Sequence, residues 1–160
     1  MKYFAFTNNK KIVNGFDRSN KIDSIFIDLE IIGKKERQKN TSSFISDHTL
    51  KDINIIRSYI NKSKLGVRIN PFNRSSEKEI NKVYDLGADV IMLPMFKRVS
   101  EINEVIQICD KRLELDLLIE TPEALEIIKE IPYKRIRHVH FGINDLALAM
   151  HKNHMFEMFF

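Results

Sequence analysis

An α/β fold built on a parallel sheet is what this sequence predicts, on three observations. Six short apolar runs rich in β-branched and aromatic residues recur along the 160 residues. Segments with helical spacing separate them, and helix start and stop signals agree with that phasing. The runs are Tyr3 to Thr7, Ser24 to Leu29, Leu65 to Ile69, Asp89 to Leu93, Leu115 to Glu120 and Arg137 to Gly142, read as strands buried on both faces. Between them, Leu50, Ile53, Ile56 and Ile60 form one stripe; Ile80, Val83 and Tyr84 a second; Ile102, Val105, Ile106 and Cys109 a third; Leu125, Ile128 and Ile131 a fourth. Each stripe is the face that a helix lays on a sheet.

The punctuation is specific. Ser76 followed by Glu79 reads as a capping box, in which hydroxyl and carboxylate satisfy each other's backbone N–H at a helix start. Thr121 before Pro122 reads as an N-cap followed by proline at the first helical position, where a missing N–H costs nothing. In Leu86-Gly87-Ala88-Asp89 a glycine able to take a left-handed conformation ends a helix just before a strand. No repeat, low-complexity tract or linker interrupts the alternation, so residues 1–160 are read as a single domain with right-handed crossovers. Two architectures fit: an open doubly wound parallel sheet and a (β/α)8 barrel. Six strands in this length would complete the open sheet, whereas a barrel takes about 250 residues. The end of the chain argues the other way, because Met155 to Phe160 is nearly all apolar and has no polar tail, as if interrupted or covered by a partner.

Composition narrows the function classes. With 43% hydrophobic and 30% charged residues the chain has enough apolar side chains for a core, which excludes disorder and coiled-coil repeats. Its 26 basic and 22 acidic residues leave a formal charge of +4, balanced locally as in Lys34-Lys35-Glu36-Arg37, so no nucleic-acid partner is expected. The single cysteine, Cys109, lies on an apolar-periodic segment and reads as a buried thiol in a reducing, cytoplasmic setting. The run from Met1 to Thr7 is too short for a signal peptide, and nothing approaches the roughly 20 apolar residues of a membrane span.

In either architecture, ligands bind at the carboxyl ends of parallel strands. The strands end in Ile27-Asp28-Leu29-Glu30, Val67-Arg68-Ile69-Asn70-Pro71, Leu118-Ile119-Glu120-Thr121-Pro122 and Phe141-Gly142-Ile143-Asn144-Asp145-Leu146. Each has a bland reading: Asp145 as a helix cap, Glu120 as an ion pair with Arg68, and Asp28 with Glu30 as a solvated strand end. Together, several carboxylates and one arginine on one sheet mouth suggest a divalent metal with oxygen ligands and an anionic substrate. Dinucleotide, P-loop and nucleophile-elbow motifs are absent from the sequence. His138 and His140 share a strand face, but no third nitrogen or sulfur ligand is spaced nearby, so they read as structural. His48, after the second strand, is read either as a capping-region residue or as an acid or base reaching the mouth.

At these residues the sequence resembles the HpcH/HpaI aldolase and citrate lyase β-subunit family. The matching tags, in order, are Phe26 to Glu30, Val67 to Pro71, Gly87 to Asp89 with Ile91 to Met95, Ile119 to Pro122 and Phe141 to Leu146. The resemblance implies a (β/α)8 TIM barrel that uses Mg²⁺, or Mn²⁺ or another divalent cation, to make or break a carbon–carbon bond next to a 2-keto acid such as pyruvate or an acyl-CoA. It implies Glu120 and Asp145 as metal ligands and Arg68 as the catalytic and substrate-binding arginine. With these go Asp28, Glu30, Gly142 and Asn144 at the substrate site, where backbone N–H groups of Gly142 to Asp145 would hold a carboxylate. One branch of the family carries a histidine after the acidic pair where this sequence has Ile31, and citrate-lyase-like members carry an aspartate there. His48 is therefore the candidate base. The resemblance also implies a barrel of about six βα units here, without the seventh and eighth. Edge strands left without neighbours are then expected to make the chain a homo-oligomer or aggregation-prone.

Overall fold

The computed structural model describes residues 3–37, 46–152 and 154–159. Its strands are β1 (Tyr3–Phe6), β2 (Ile22–Asp28), β3 (Lys64–Arg68), β4 (Val90–Leu93), β5 (Glu114–Ile119) and β6 (His138–Phe141), all parallel to their neighbours. The order across the sheet is β1-β2-β3-β4-β5-β6. A doubly wound sheet reverses direction at a switch point, and this one never does. Six consecutive units winding one way curl into an incomplete α/β barrel. Side chains confirm the curl: the Phe4 and His140 rings, from the first and last strands, sit 4.5 Å apart.

The helices are α1 (Lys10–Ser19), α2 (Lys34–Arg37), α3 (Leu50–Arg57), α4 (Ser76–Asp85), α5 (Val99–Cys109), α6 (Pro122–Glu126) and α7 (Ile143–Ala149). Strand alternation splits the core in two. Outward residues Ile25, Ile27, Leu65, Val67, Ile91, Leu93, Leu115 and Leu117 meet Ile53, Ile56, Ile80, Val83, Ile102 and Val105 from the helices. Inward residues Phe26, Val90, Met92 and Leu118 make a smaller cluster inside the curl. Asp17 ties α1 to the turn before β3, because its carboxylate accepts the N–H groups of Asn61, Lys62 and Ser63 at 2.8–3.1 Å. Among the described residues no helix is long and apolar enough to cross a membrane.

Several local expectations hold. Thr121 Oγ1 accepts the Ala124 N–H at 3.1 Å, with proline at the next position, and Gly87 takes φ +96°. Cys109 is buried, and burial pushes its thiol up to about 11, which makes it unreactive.

Three expectations are corrected. Ser76 is not a cap, because its own N–H already bonds the Asn73 carbonyl; its hydroxyl accepts the Asn73 N–H, and Glu79 reaches Asn70 instead. The stripe Leu125, Ile128, Ile131 does not form one helix. Pro132 forces Ile131 into extended backbone, so α6 stops at Glu126 and a 3-10 turn, Ile128–Glu130, follows. Finally, β1 and β6 are not buried on both faces: Tyr3, Phe4, Phe6 and Phe141 are 39–54% exposed, since each of these strands has a neighbour on one side only. Phe160, the last residue of the apolar end, lies outside the described residues.

Gly66 faces inward directly under Phe26, and a Cβ there would stand 2.3 Å from the Phe26 ring. Gly66→Ala therefore forces a buried ring out of its rotamer and should cost about 1–3 kcal/mol in urea unfolding. Adding Phe26→Leu should recover part of that loss. No change in the unfolding midpoint of Gly66→Ala would mean that the inner face is loosely packed.

Candidate functional site

The inward positions of the strands stack in levels, and the uppermost level is where the predicted residues meet. Asp28 ends β2 opposite Arg68, which ends β3. Arg68 donates from Nε to Asp28 Oδ1 at 2.8 Å and from Nη2 to Oδ2 at 2.7 Å, a two-pronged pair of the stronger kind. Lys34 Nζ donates to the same Oδ2 at 2.6 Å. Burial by itself would raise the Asp28 carboxyl, but the bonds and charges of Arg68 and Lys34 outweigh it and hold the group below its ordinary range. Glu30 is buried as well, bonded to Arg37 Nη2 and 3.5 Å from Arg68 Nε. The pair is thus no solvated strand end.

Glu120 behaves differently. It is 2% exposed, yet no cation bonds it among the described residues; Oε1 accepts the Met95 N–H at 3.1 Å. Met95 presents that N–H from a left-handed conformation, φ +53°, a strained position for a non-glycine residue. Burial, then the negative charges of Glu30 and Asp145, push the Glu120 carboxyl up to about 8 against the pull of Arg68 and the Met95 N–H. The expected Glu120–Arg68 ion pair is replaced by the Arg68–Asp28 pair, because Asp28 sits directly across from Arg68 in the β2–β3 register. Gly142 is required beside Glu120, since a Cβ at 142 would lie 2.7 Å from both its Cβ and its Oε2.

Asp145 lies inside the first turn of α7, where the N-cap is Gly142, so it does not cap that helix. Its Oδ1 stands 3.6 Å from Arg37 Nε. A cavity of about 370 Å³ is lined by Arg68, Lys34, Glu120, Gly142, Asn144 and Asp145, with Phe4, Phe6, Met92, Leu118 and Phe141 as its apolar wall. The Gly142 N–H donates to the Ile119 carbonyl at 2.8 Å, so it extends the sheet and does not point at a ligand. His48 is not among the residues lining this cavity. Its Nδ1 accepts the Asp28 N–H at 2.9 Å, and burial lowers its basicity against the attraction of Asp28, Asp52 and Asp47.

Two groups escaped the sequence reading. Asn70 Oδ1 accepts the N–H groups of both Ile31 and Ile32 at 3.0 Å, which fixes the loop carrying Glu30. Lower in the curl, Asp116, His138 and His140 bring three potential metal-ligating atoms within 4.8 Å. The missing third partner of the histidines was a carboxylate on the neighbouring strand; Asp116 shares inward parity with Leu118 and Glu120, which was the available signal. Its oxygens are already held by Arg137 Nε at 2.8 Å and Nη2 at 2.7 Å, and Arg137 also reaches Asp23 and Ser24. A cation there would compete with a guanidinium, whereas Glu120 and Asp145 have no hydrogen-bonded cation to displace.

Fold and site together define an incomplete α/β barrel with an acid-and-arginine mouth. The chain belongs to the HpcH/HpaI aldolase/citrate lyase family, whose model matches residues 2–158. Among solved structures it is similar to the citrate synthase SbnG, at 14% identity and TM-score 0.70, covering 96% of this chain and 65% of that one. It is likewise similar to an HpcH/HpaI aldolase/citrate lyase family protein from Burkholderia cenocepacia, at 11% identity and TM-score 0.72, covering 96% and 68%. The chain thus spans about two-thirds of the length of these structures. No curated protein matches the sequence.

The lower cluster gives a pH-dependent prediction. Burial opposes ionisation of Asp116, but the bonds of Arg137 and His140 outweigh it and depress its pKa. Its stabilisation is complete above the unfolded carboxyl's value near 3.9. It is lost as the pH falls through the lower folded value. Asp116→Asn should cost about 3 kcal/mol at pH 7, because it leaves Arg137 half-paired in the interior, and should flatten the acid limb of the stability curve. Urea unfolding at pH 7 and pH 3 measures both effects.

Proposed function

We propose that the protein is a divalent-metal-dependent carbon–carbon lyase, an aldolase that cleaves or forms the bond next to a 2-keto acid such as pyruvate. The family supplies the lyase chemistry, and one observation carries the rest. A guanidinium with N–H donors to spare shares a cavity with two carboxylates, Glu120 and Asp145, that lack a hydrogen-bonded cation.

The donor set fits a hard divalent ion such as Mg²⁺ or Mn²⁺. Burial, and after it the charges of Glu30 and Asp145, push the Glu120 carboxyl up to about 8, and a cation between the carboxylates would relieve the repulsive part. Glu120 and Asp145 would hold the ion, and it would supply positive charge next to the substrate's keto oxygen, where negative charge develops on cleavage.

The chain's own residues do the rest. Asp28 engages two of the five N–H donors of Arg68 and fixes its plane, leaving the others to bind the keto and carboxylate oxygens. The Phe6 ring stacks on the guanidinium, its centroid 4.9 Å from the guanidinium carbon. Met92, Leu118 and Phe141 complete a wall suited to the carbon skeleton of a small acid.

A second reading, a degenerate barrel that binds a ligand without turnover, is favoured by one observation. Ile31 stands 69% exposed at the place where one branch of the family is expected to carry a histidine, and no imidazole lines the cavity among the described residues. Turnover by this chain in a coupled pyruvate-release assay would reject that reading.

The direct test of the site is calorimetric titration of Mg²⁺ or Mn²⁺ together with oxalate, comparing the wild type with Glu120→Gln. Oxalate binding should be strengthened by the metal, and the variant should bind the metal about tenfold or more weakly. Equal binding by both proteins would remove Glu120 from the metal site.

A further inference from the structure

Lys34 is a charged residue on the cavity wall that lies outside the strand-end tags. It is 2% exposed, and burying an ammonium costs several kcal/mol unless its charge is used. Its position is built. Asn70 pins the backbone of Ile31 and Ile32, Gly33 turns at φ +71°, and the chain returns into α2 with Lys34 as its first residue. Structural pairing does not require it. Asp28 is already neutralised by the two bonds from Arg68, and Glu30 by its bond from Arg37; Lys34 is 3.8 Å from Glu30. Removing Lys34 leaves neither acid without a cation.

Lys34 Nζ and Arg68 Nη2 bond the same oxygen of Asp28, at 2.6 and 2.7 Å, so two cationic nitrogens stand side by side where both residues line the cavity. Each keeps N–H donors beyond those bonds: an ammonium has three and a guanidinium five. We propose that Lys34 and Arg68 form a two-cation subsite for a carboxylate of the substrate, with Lys34 as a substrate-binding residue. This inference rests on the 2-keto-acid reading above and adds the group that reads the acid end of the substrate. The subsite is made of protein charges alone, so it retains a share of anion binding when no metal is present.

The experiment is oxalate titration by calorimetry on the full chain, in metal-free buffer and with Mg²⁺, for the wild type, Lys34→Gln, Lys34→Arg and Glu120→Gln. Thermal unfolding of each variant reports on folding. Loss of one charge-assisted bond should weaken oxalate binding by Lys34→Gln about tenfold or more in both buffers. Lys34→Arg should restore most of it, which a merely structural role for the lysine would not require. Glu120→Gln should lose the enhancement by Mg²⁺. Wild-type affinity in a folded Lys34→Gln overturns the subsite and leaves the lyase reading standing. Absence of oxalate binding by the wild type in either buffer overturns both. If Lys34→Gln fails to fold, the Arg variant decides: affinity within about threefold of wild type supports the subsite, and complete loss in a folded protein overturns it.

Discussion

A buried carboxyl on the inner face of a curled sheet carries its charge at low cost only where a cation meets it, and the rest of this structure is arranged around that constraint. Two pairs satisfy it. Asp28 with Arg68 closes the upper level, and Asp116 with Arg137 closes the lower one. Between them lies an apolar layer of Phe26, Val90, Met92 and Leu118, into which Phe26 fits because β3 offers Gly66 at that height. The apolar layer separates the two charged levels, so each settles its own charge balance. Arg137 also spans the curl to Asp23 and Ser24 of β2, so the lower pair helps to hold the second and last strands near each other without a hydrogen-bonded ladder between them.

The same constraint sorts the acids at the mouth into two kinds. Asp28 and Glu30 are bonded to cations and are fixtures that orient Arg68 and α2. Glu120 and Asp145 are not; Glu120 has a backbone N–H, and Asp145 has Arg37 Nε at a distance too long for a hydrogen bond. A carboxylate already bridged by guanidinium has little capacity left for a metal, whereas an unbridged one in the same low-dielectric cavity is destabilised until a cation arrives. The division between acids bonded to cations and acids that are not thus follows from which strand faces which.

Much of this was legible in the sequence because it is local. The six strands, the Thr121-Pro122 helix start and the Gly87 stop are written in runs of a few residues, and each strand-end tag sits at a strand end in the structure. What was not legible depends on contacts between distant segments. The pairing of Asp116 with Arg137, the clamp of Asn70 on Ile31 and Ile32, and the commitment of His48 Nδ1 to the Asp28 backbone join residues 20 or more positions apart. Glu79 shows the same competition in miniature: its spacing from Ser76 suits a capping box, but Asn70 offers it two donors from outside the helix, and the outside partner wins.

Lys34 and Arg37 are the sharper case. In the sequence they belong to Lys34-Lys35-Glu36-Arg37, a mixed charge run of the kind that normally coats a solvated face, and composition alone gives no reason to bring it inside. The structure brings two of its cations to the mouth beside the buried acids Asp28 and Glu30: Arg37 bonds Glu30, and Lys34 joins Arg68 on Asp28. Gly33 makes that return possible, since its φ of +71° is a region that side-chain-bearing residues seldom adopt. The turn and the short helix therefore accompany the two carboxylates on the inner face of β2 and its extension, and they bring Lys34 to the cavity wall beside Arg68. Reading charge runs by what they must neutralise, rather than by their own polarity, would have moved this segment from the surface to the site.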